Sequence, residues 1–302
     1  MKRAGGGQRS FPPQVVVDVK ALACELPALY DVPLSRFTAN EIAGLARQRG
    51  IVAKVSGATV WRWLTQDAIK PWQHRSWMFP RDPQFAWKAG RVLDLYHRVW
   101  KGRALGPRDY VISADEKTSI QARRRIHPTR PPAPGLPMKV EHEYERKGAL
   151  AYLAAWDVHR AKLFGRCEKS TGIVAFDRLV EQVMTQEPYC RARRVFWIMD
   201  NGSSHRGDAS VKRLTDKWPT IVPVHLPIHA SWLNQIEIYF SIVQRKVVHP
   251  NDFVSLEDLT DTLMSFQHRY EASAKPFEWK YTKSDLADLI ARLNLQERKV
   301  AA

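Results

Sequence analysis

The sequence predicts an α/β fold with a central sheet, preceded by a small all-α domain. Up to Gly102, apolar residues recur at helical spacing, whereas beyond Gly102 they form short extended runs separated by helical segments. The predicted order beyond Gly102 is three strands followed by a helix, a strand, a helix, a strand and a helix. A turn near 158–160 joins the second and third strands. Strands that alternate with helices are typical of α/β domains.

The composition points to a polyanionic partner. The chain has 302 residues, enough for two domains, and its 47 Lys and Arg against 31 Asp and Glu give a net charge of +16. Nucleic acid is the first candidate partner, and a merely soluble basic protein is the alternative. The three cysteines lie too far apart for a Cys zinc site or a disulfide framework. With neither a signal peptide nor an apolar run of membrane length, we expect a soluble, unexported protein.

The N-terminal part of the sequence predicts a linker followed by a helical domain. Residues 1–14 are Gly, Pro and basic residues, which predict a flexible basic linker. Residues 15–81 predict an all-α DNA-binding domain. The apolar pattern of its first helix runs from Val15 to Leu29, and the helix should end at Pro27 or at the turn 31–33. The second helix begins at Thr38, which has capping-box spacing to Glu41.

A third short helix begins at Ser56 and follows the second after a tight turn, so the pair has the organisation of a helix-turn-helix. Its first residues are the candidate DNA contacts, namely Ser56, Gly57, Ala58, Thr59, Trp61 and Arg62. An ordinary pair of packed helices is the alternative, because this pattern is weak in a single sequence.

The remaining segments are a connecting helix, the sheet-containing domain and a C-terminal helical extension, at 82–104, 105–250 and 251–302. Asp82 is the expected N-cap of the connecting helix, Pro83 its first residue and Gly102 its end. The segment 127–139 is too rich in proline for a helix or a central strand and predicts an exposed loop.

Three carboxylates stand out in the sheet-containing domain. Asp115 and Asp200 each end an apolar strand, where ligands gather in α/β sheets. Glu237 falls inside the apolar stripe of a long helix predicted from Ser231, so its side chain should point inward. Glu116 lies on the opposite face of its strand and is a weaker candidate.

A divalent cation would explain why three acids should converge. Carboxylates that are pushed together repel one another unless a cation neutralises them, and Mg²⁺ or Mn²⁺ prefers oxygen ligands. Two such ions activate an attacking oxygen and stabilise a leaving one in phosphoryl transfer. Taken singly, however, Asp115 could belong to a turn, Asp200 could cap a helix and Glu237 could pair with an arginine.

Polar residues near these acids could support them. Asn201 and Asn234 are candidates for orienting the carboxylates. His205 and His229 could contact phosphate or position a nucleophile, although a loop histidine is more often a plain hydrogen-bonding group.

Five motifs occur in the order "SADEKTSIQA", "EHEYERKGAL", "IMDNGSSH", "HASWLNQIEIYFS" and "AKPFEWKYT". Together they closely resemble the DDE transposases of bacterial insertion sequences of the IS-six-thirty group, relatives of the mariner elements. The resemblance implies a ribonuclease-H-like mixed-sheet catalytic core at 105–250. It also implies that Asp115, Asp200 and Glu237 are the metal-binding catalytic acids, and that they hold two Mg²⁺ or Mn²⁺ ions.

The resemblance further implies what the protein acts on. The expected partners are the terminal inverted repeats of an element and target DNA cut at TA dinucleotides, handled by a homodimer in the bacterial cytoplasm at the nucleoid. Family members usually carry another helix-turn-helix before the linker that "AGGGQRSFPP" resembles, so a truncated copy or one with a misplaced start is also expected. The competing interpretation is a non-catalytic DNA-binding remnant or repressor.

Overall fold

In a computed structural model the protein is described at residues 11–74, 80–202 and 207–300, with side chains described as far as residue 294. The chain forms two compact units, residues 1–78 and 79–302. Within the described ranges, no helix is both long and apolar enough to span a membrane.

The first unit is built of helices. Their bounds are Pro13–Ala23 (α1), Ala39–Gln48 (α2) and Gly57–Gln66 (α3). The expected capping box is confirmed, since the Thr38 hydroxyl accepts from the Glu41 amide while the Glu41 carboxylate accepts from the Thr38 amide at 2.6 Å. The first helix ends at Ala23, earlier than predicted, because Pro27 begins a separate 3₁₀ turn.

The second unit contains a mixed sheet of strand order β5-β4-β3-β6-β7. Its strands are Asp109–Arg125 (β3), Tyr144–Asp157 (β4), Leu163–Glu168 (β5), Arg194–Met199 (β6) and Ile221–His225 (β7). The β3–β4 and β4–β5 pairs are antiparallel, whereas β3–β6 and β6–β7 are parallel. A short hairpin, Val99–Trp100 (β1) with Arg103–Ala104 (β2), precedes this sheet.

Helices cover both faces of the sheet. Their bounds are Phe85–Tyr96 (α4), Ile173–Met184 (α5), Asp208–Lys217 (α6), Ile236–Val243 (α7), Leu256–Glu271 (α8) and Lys283–Val300 (α9). Residues of α4, α7 and α8 share one apolar core with Val111 and Ile198, while α5 and α6 share the other with Ile112 and Trp197. Because successive strand residues alternate between the faces, each face has its own set of strand residues.

Two predicted boundaries of the connecting helix are wrong. Its N-cap is Gln84, since the Asp82 carboxylate instead accepts hydrogen bonds from the Gln84 amide and from Lys88. The helix ends at Tyr96, and Gly102, at φ 75°, lies in the turn of the β1–β2 hairpin. A glycine with positive φ fits a tight turn as well as a helix end, so the sequence alone did not distinguish them.

The strand that carries Asp115 is much longer than predicted. It continues to Arg125 because it pairs with β4 as far as Tyr144, and the proline-rich 127–139 forms the exposed connection, as expected. Asp115 therefore lies inside a strand and does not end it. The parallel pairing with β6 nevertheless ends close by, at Ser113 and Ile198.

Candidate active site

Asp115 and Asp200 occupy matching positions on neighbouring strands. The parallel ladder of β3 and β6 pairs Ser113 with Ile198, and Asp115 and Asp200 each follow two residues later. Residues two apart on a strand lie on the same face, and paired residues of neighbouring strands share a face. Asp115 therefore lies on the face of the sheet that α7 covers. Ile198 of β6 packs on the same face, and Asp200 follows two residues later, directly after the end of β6.

A buried amide fastens the start of α7 to the strand that carries Asp115. Asn234, which is fully buried, donates from Nδ2 to Oδ2 of Asp115 at 3.0 Å and to the carbonyl of Ala114 at 3.1 Å. Its Oδ1 accepts from the Ser113 hydroxyl, which in turn accepts from the Ile236 amide at 2.9 Å. These bonds hold the first turn of α7, which contains Glu237, against β3.

This anchoring explains why the predicted long helix from Ser231 is wrong. Residues 231–233 form a 3₁₀ turn, Asn234 is extended with ψ 111°, and α7 begins only at Ile236. The Tyr96 hydroxyl stabilises the break, since it donates to the Leu233 carbonyl at 2.6 Å and accepts from the Gln235 amide at 3.3 Å. An asparagine whose side chain bonds to another strand can override helical periodicity.

The three carboxylates interact electrostatically. The pKa of Asp115 is raised to about 7, against 3.8 for an ordinary aspartate. Burial is the largest cause, the negative charges of Asp200, Glu116 and Glu237 add to it, and a hydrogen bond from the Glu116 amide opposes it. Burial also raises the pKa of Glu237; the positive charge of Lys117 lowers it and that of Asp200 adds to the rise. Like charges this close disfavour ionisation.

The donor set suits a hard divalent cation, but the present arrangement is not a closed metal site. Among residues 11–74, 80–202 and 207–294, no group of three or more His, Cys, Asp or Glu side chains is placed so that it could hold a metal ion. The carboxylates offer only oxygen ligands, and their repulsion, expressed in the raised pKa of Asp115, is what a cation would relieve. The residues fit such an ion in chemistry, and a shared coordination sphere requires their side chains to draw closer.

The remaining polar residues that were expected near the acids lie in different surroundings. Asn201 donates to the Leu226 carbonyl at 2.7 Å and so ties the end of β6 to the end of β7. His229 has a left-handed backbone with φ 59° in the segment before α7. His205 lies outside the described residues.

Two residues that flank Asp115 were missed in the sequence. Ser113 and Lys117 lie two positions before and after it, on the same face of β3. Ser113 bridges Asn234 and α7, and Lys117 is the positive charge that acts on Glu237. The period-two alternation of a strand could have indicated both, had β3 been predicted beyond Asp115.

In the first unit, the candidate DNA contacts lie at the start of α3. Ser56, Ala58, Trp61 and Arg62 are exposed, and 51% of the Trp61 surface is accessible. The Ser56 hydroxyl caps the helix by accepting from the Thr59 amide at 3.2 Å, and Arg62 donates to the Thr59 hydroxyl at 3.3 Å.

Gly57 is packed against the preceding helix. A Cβ atom there would lie 1.8 Å from Oδ1 and 3.1 Å from Cα of Asn40, so α2 and α3 approach too closely for a side chain. The glycine thus has a packing role, in addition to any contact with DNA.

Comparison with known proteins assigns the chain to a family. Residues 110–260, half of the chain, match the profile described as "DDE superfamily endonuclease". No curated protein matches the chain significantly.

Solved structures of the Mos1 transposase share the fold. The Mos1 mariner paired-end complex with Mn superposes with a TM-score of 0.53 at 14% identity, over 91% of this chain and 75% of that one. The Mos1 strand transfer complex gives 0.52 at 13% identity, over 96% and 79%. The paired-end complex with Mg gives 0.50 at 14% identity, over 89% and 76%. These likenesses confirm the mixed α/β sheet fold that the sequence predicts.

Proposed function

Because the chain belongs to the DDE superfamily endonucleases, we propose that it is a transposase that cuts DNA at the ends of its own element and joins them to target DNA. The observation that carries the proposal is the placement of Asp115, Asp200 and Glu237. Asp115 and Asp200 follow matching positions of two parallel strands, α7 brings Glu237 to the same side, and both other charges raise the pKa of Asp115.

Asp115, Asp200 and Glu237 would hold the divalent cations, which are a pair of Mg²⁺ or Mn²⁺ ions, as the family resemblance implies. When bound, such ions neutralise the phosphate and activate the attacking oxygen, which is water in cleavage and a DNA 3′-hydroxyl in strand transfer. Two of the similar Mos1 structures are paired-end complexes with Mn and with Mg, which supports this choice of ion.

The protein's own residues prepare the acids for this role. Asn234 fixes one oxygen of Asp115 through its bond at 3.0 Å, and the Glu116 amide fixes the other at 2.8 Å. Asp200 accepts from the Gly202 amide at 2.7 Å, which orients it after the end of β6. Ligands held in one orientation lose less entropy when they bind, so this framework favours a precise site.

DNA is the proposed partner. One of the similar Mos1 structures is a paired-end complex with a left transposon end, and the chain carries a net charge of +16. We place the protein with the IS-six-thirty group on its five motifs, which favours terminal inverted repeats as substrate, TA dinucleotides as target and a homodimer that handles two ends together. The α2–α3 pair would read the end as a helix-turn-helix domain, with Ser56, Ala58, Thr59, Trp61 and Arg62 as DNA contacts.

A non-catalytic DNA-binding remnant is the second candidate, and the observations in its favour are the net charge of +16 and the α2–α3 pair, which need no chemistry at the three acids. The two candidates differ in chemistry and agree in DNA binding. They are therefore separated by cleavage and not by affinity.

The test is a cleavage assay with the full chain, Mg²⁺ or Mn²⁺ and a labelled duplex that carries the flanking inverted repeat. The transposase proposal predicts cut strands, and joined products on a plasmid that contains TA sites. Asp200→Asn should retain DNA binding and lose both products. Asp177→Asn is the matched control, because Asp177 lies on α5, on the other face of the sheet, and pairs with Arg213 of α6. Binding without cleavage by the unaltered chain would favour the remnant.

A further inference from the structure

A small pocket opens at the end of the sheet remote from the three acids. It has a volume of about 240 Å³ and is lined by Arg98, Pro107, Asp109, Tyr110, Asp157, His159 and Arg160. Tyr110 precedes Asp115 by five residues on β3, which at about 3.3 Å per residue puts the pocket roughly 17 Å from that carboxylate. A group bound here would not touch the candidate active site.

The two acidic residues of the pocket are already satisfied by other donors. Asp109 accepts from Arg194 twice, at 3.1 and 2.7 Å, and from the Gly106 amide. Asp157 accepts from the amides of His159 and Arg160, both at 3.1 Å, and from the Tyr189 hydroxyl at 2.7 Å. Asp157 still attracts Arg160 through space, but no hydrogen bond or ion pair joins the two side chains.

Two arginines of the pocket keep their hydrogen-bonding capacity. Within the described part of the chain, the guanidinium groups of Arg98 and Arg160 make no hydrogen bond and no ion pair. The Arg160 guanidinium lies over the rings of Tyr110 and Tyr189, with its Cζ 5.9 and 6.0 Å from their centroids. Such a guanidinium presents a planar fork of N–H donors that matches the oxygens of a phosphate.

The backbone conformation and hydrogen bonds around Arg98 and Arg160 fix the positions of both residues. Arg98 has φ 58°, a left-handed conformation that costs energy in a residue other than glycine, and its carbonyl accepts from the Leu105 amide at 2.7 Å. Arg160 stands in the β4–β5 turn that the Asp157 carboxylate closes through two amide bonds. Two separate loops thus deliver one arginine each to the same pocket.

Further positive charge surrounds the opening. Arg108 and Arg193 are exposed beside it, and the Arg193 amide donates to the Arg108 carbonyl at 2.9 Å. A pocket continuous with an exposed basic surface suits a phosphate that is part of a long polyanion better than a small molecule that must be enclosed.

We infer that Arg98 and Arg160 form a binding site for one backbone phosphate of DNA, in a segment distant from the scissile bond. This inference rests on the proposed function only for the identity of the polyanion. The contact is independent of sequence, since it reaches phosphate and no base edge. It adds to affinity, and it gives the catalytic unit a second point of attachment along the duplex.

The test compares two double variants of the full chain by fluorescence anisotropy with a labelled duplex, in the presence of a chelator. Arg98→Ala with Arg160→Ala should weaken binding about 10-fold and reduce the slope of log K against log salt by about 1, the contribution of one neutralised phosphate. Lys169→Ala with Lys275→Ala removes the same charge from exposed positions outside the pocket. This control should change affinity less than about 3-fold.

Without divalent cations the assay measures binding alone. The difference in DNA affinity between the arginine and lysine double variants should persist when Asp115→Asn is also present. A protein that fails to cut DNA can therefore still support this inference, and the two failures are distinguishable. If circular dichroism shows that the double alanine variant is misfolded, the single variant Arg160→Gln is used in its place. The Arg160 side chain is exposed, and its turn is held by the hydrogen bond from the Arg160 amide to the Asp157 carboxylate, which the substitution keeps. A several-fold loss of affinity is therefore still expected.

A titration with inorganic phosphate, followed by NMR of the arginine side chains, separates the sources of the anion. Weaker DNA binding by the arginine pair than by the lysine pair supports the inference. Equal DNA binding by both pairs, with phosphate shifting the Arg98 and Arg160 signals, would overturn it in favour of a free anion. Equal DNA binding with no shift would overturn the site altogether.

Discussion

Neutralising Asp115 should stabilise the metal-free protein at neutral pH, although it removes a proposed catalytic group. Burial, with the neighbouring charges of Asp200 and Glu237, raises the pKa of Asp115 from 3.8 to about 7. Between these pH values the folded protein binds a proton that the unfolded chain has released, so the free energy of unfolding falls as pH rises from about 4 to about 7. Each tenfold change in proton affinity is worth ~1.4 kcal/mol, so the total loss is about 4 kcal/mol.

Asp115→Asn removes this titration and keeps the shape of the side chain. Its amide group can accept only one of the bonds now donated by Asn234 and the Glu116 amide, which costs about 1–2 kcal/mol at every pH. The net gain at pH 8 is therefore about 2–3 kcal/mol. For a unit of this size it corresponds to roughly a 5–10 °C rise in Tm.

The assay is thermal unfolding of both proteins between pH 4 and pH 8 with a chelator present, and again at pH 8 with Mg²⁺. The wild type should gain Tm with Mg²⁺, and Asp115→Asn should not. Asp157→Asn is the control, since Asp157 is also a buried carboxylate with a raised pKa but is held by Tyr189 and backbone amides. Its response to Mg²⁺ should equal that of the wild type. A difference between wild type and Asp115→Asn that does not change with pH would refute the reasoning.

Three further substitutions test the supports of the site and of the first unit. Asn234→Ala should lower cleavage about 10–100-fold with DNA binding unchanged in the anisotropy assay, because it frees the Asp115 carboxylate; an unchanged rate would contradict that. Ser113→Ala should reduce the free energy of unfolding in urea by about 1–3 kcal/mol, since it leaves Oδ1 of the buried Asn234 and the Ile236 amide without their present partner. Gly57→Ala should destabilise the protein by about 1–3 kcal/mol through the clash with Asn40, and a neutral effect would show that α2 and α3 can separate.

Where local rules decide, the sequence predicts the structure closely. The capping box of Thr38 and Glu41 lies where the spacing indicates, and α5 spans 173–184 as its apolar periodicity predicts. The apolar run before Asp200 is a strand buried on both faces, and Asp200 follows it directly. In each case the determinants lie within a few residues of one another.

The misses come from contacts between distant residues. The break before α7 depends on Asn234 meeting Ser113, which is 121 positions away. The length of β3 depends on its pairing with β4 across the proline-rich connection, so the charge of Lys117 near Glu237 could not be recognised from spacing. Tertiary partners override local propensity at both places.

The joint action of Asp115, Asp200 and Glu237 on a cation is tested most directly by Mn²⁺ binding, measured by electron paramagnetic resonance on the full chain. The wild type should bind Mn²⁺, and Asp115→Asn, Asp200→Asn and Glu237→Gln should each weaken binding strongly, while Asp157→Asn leaves it unchanged. Mn²⁺ binding that survives all three substitutions would contradict the account.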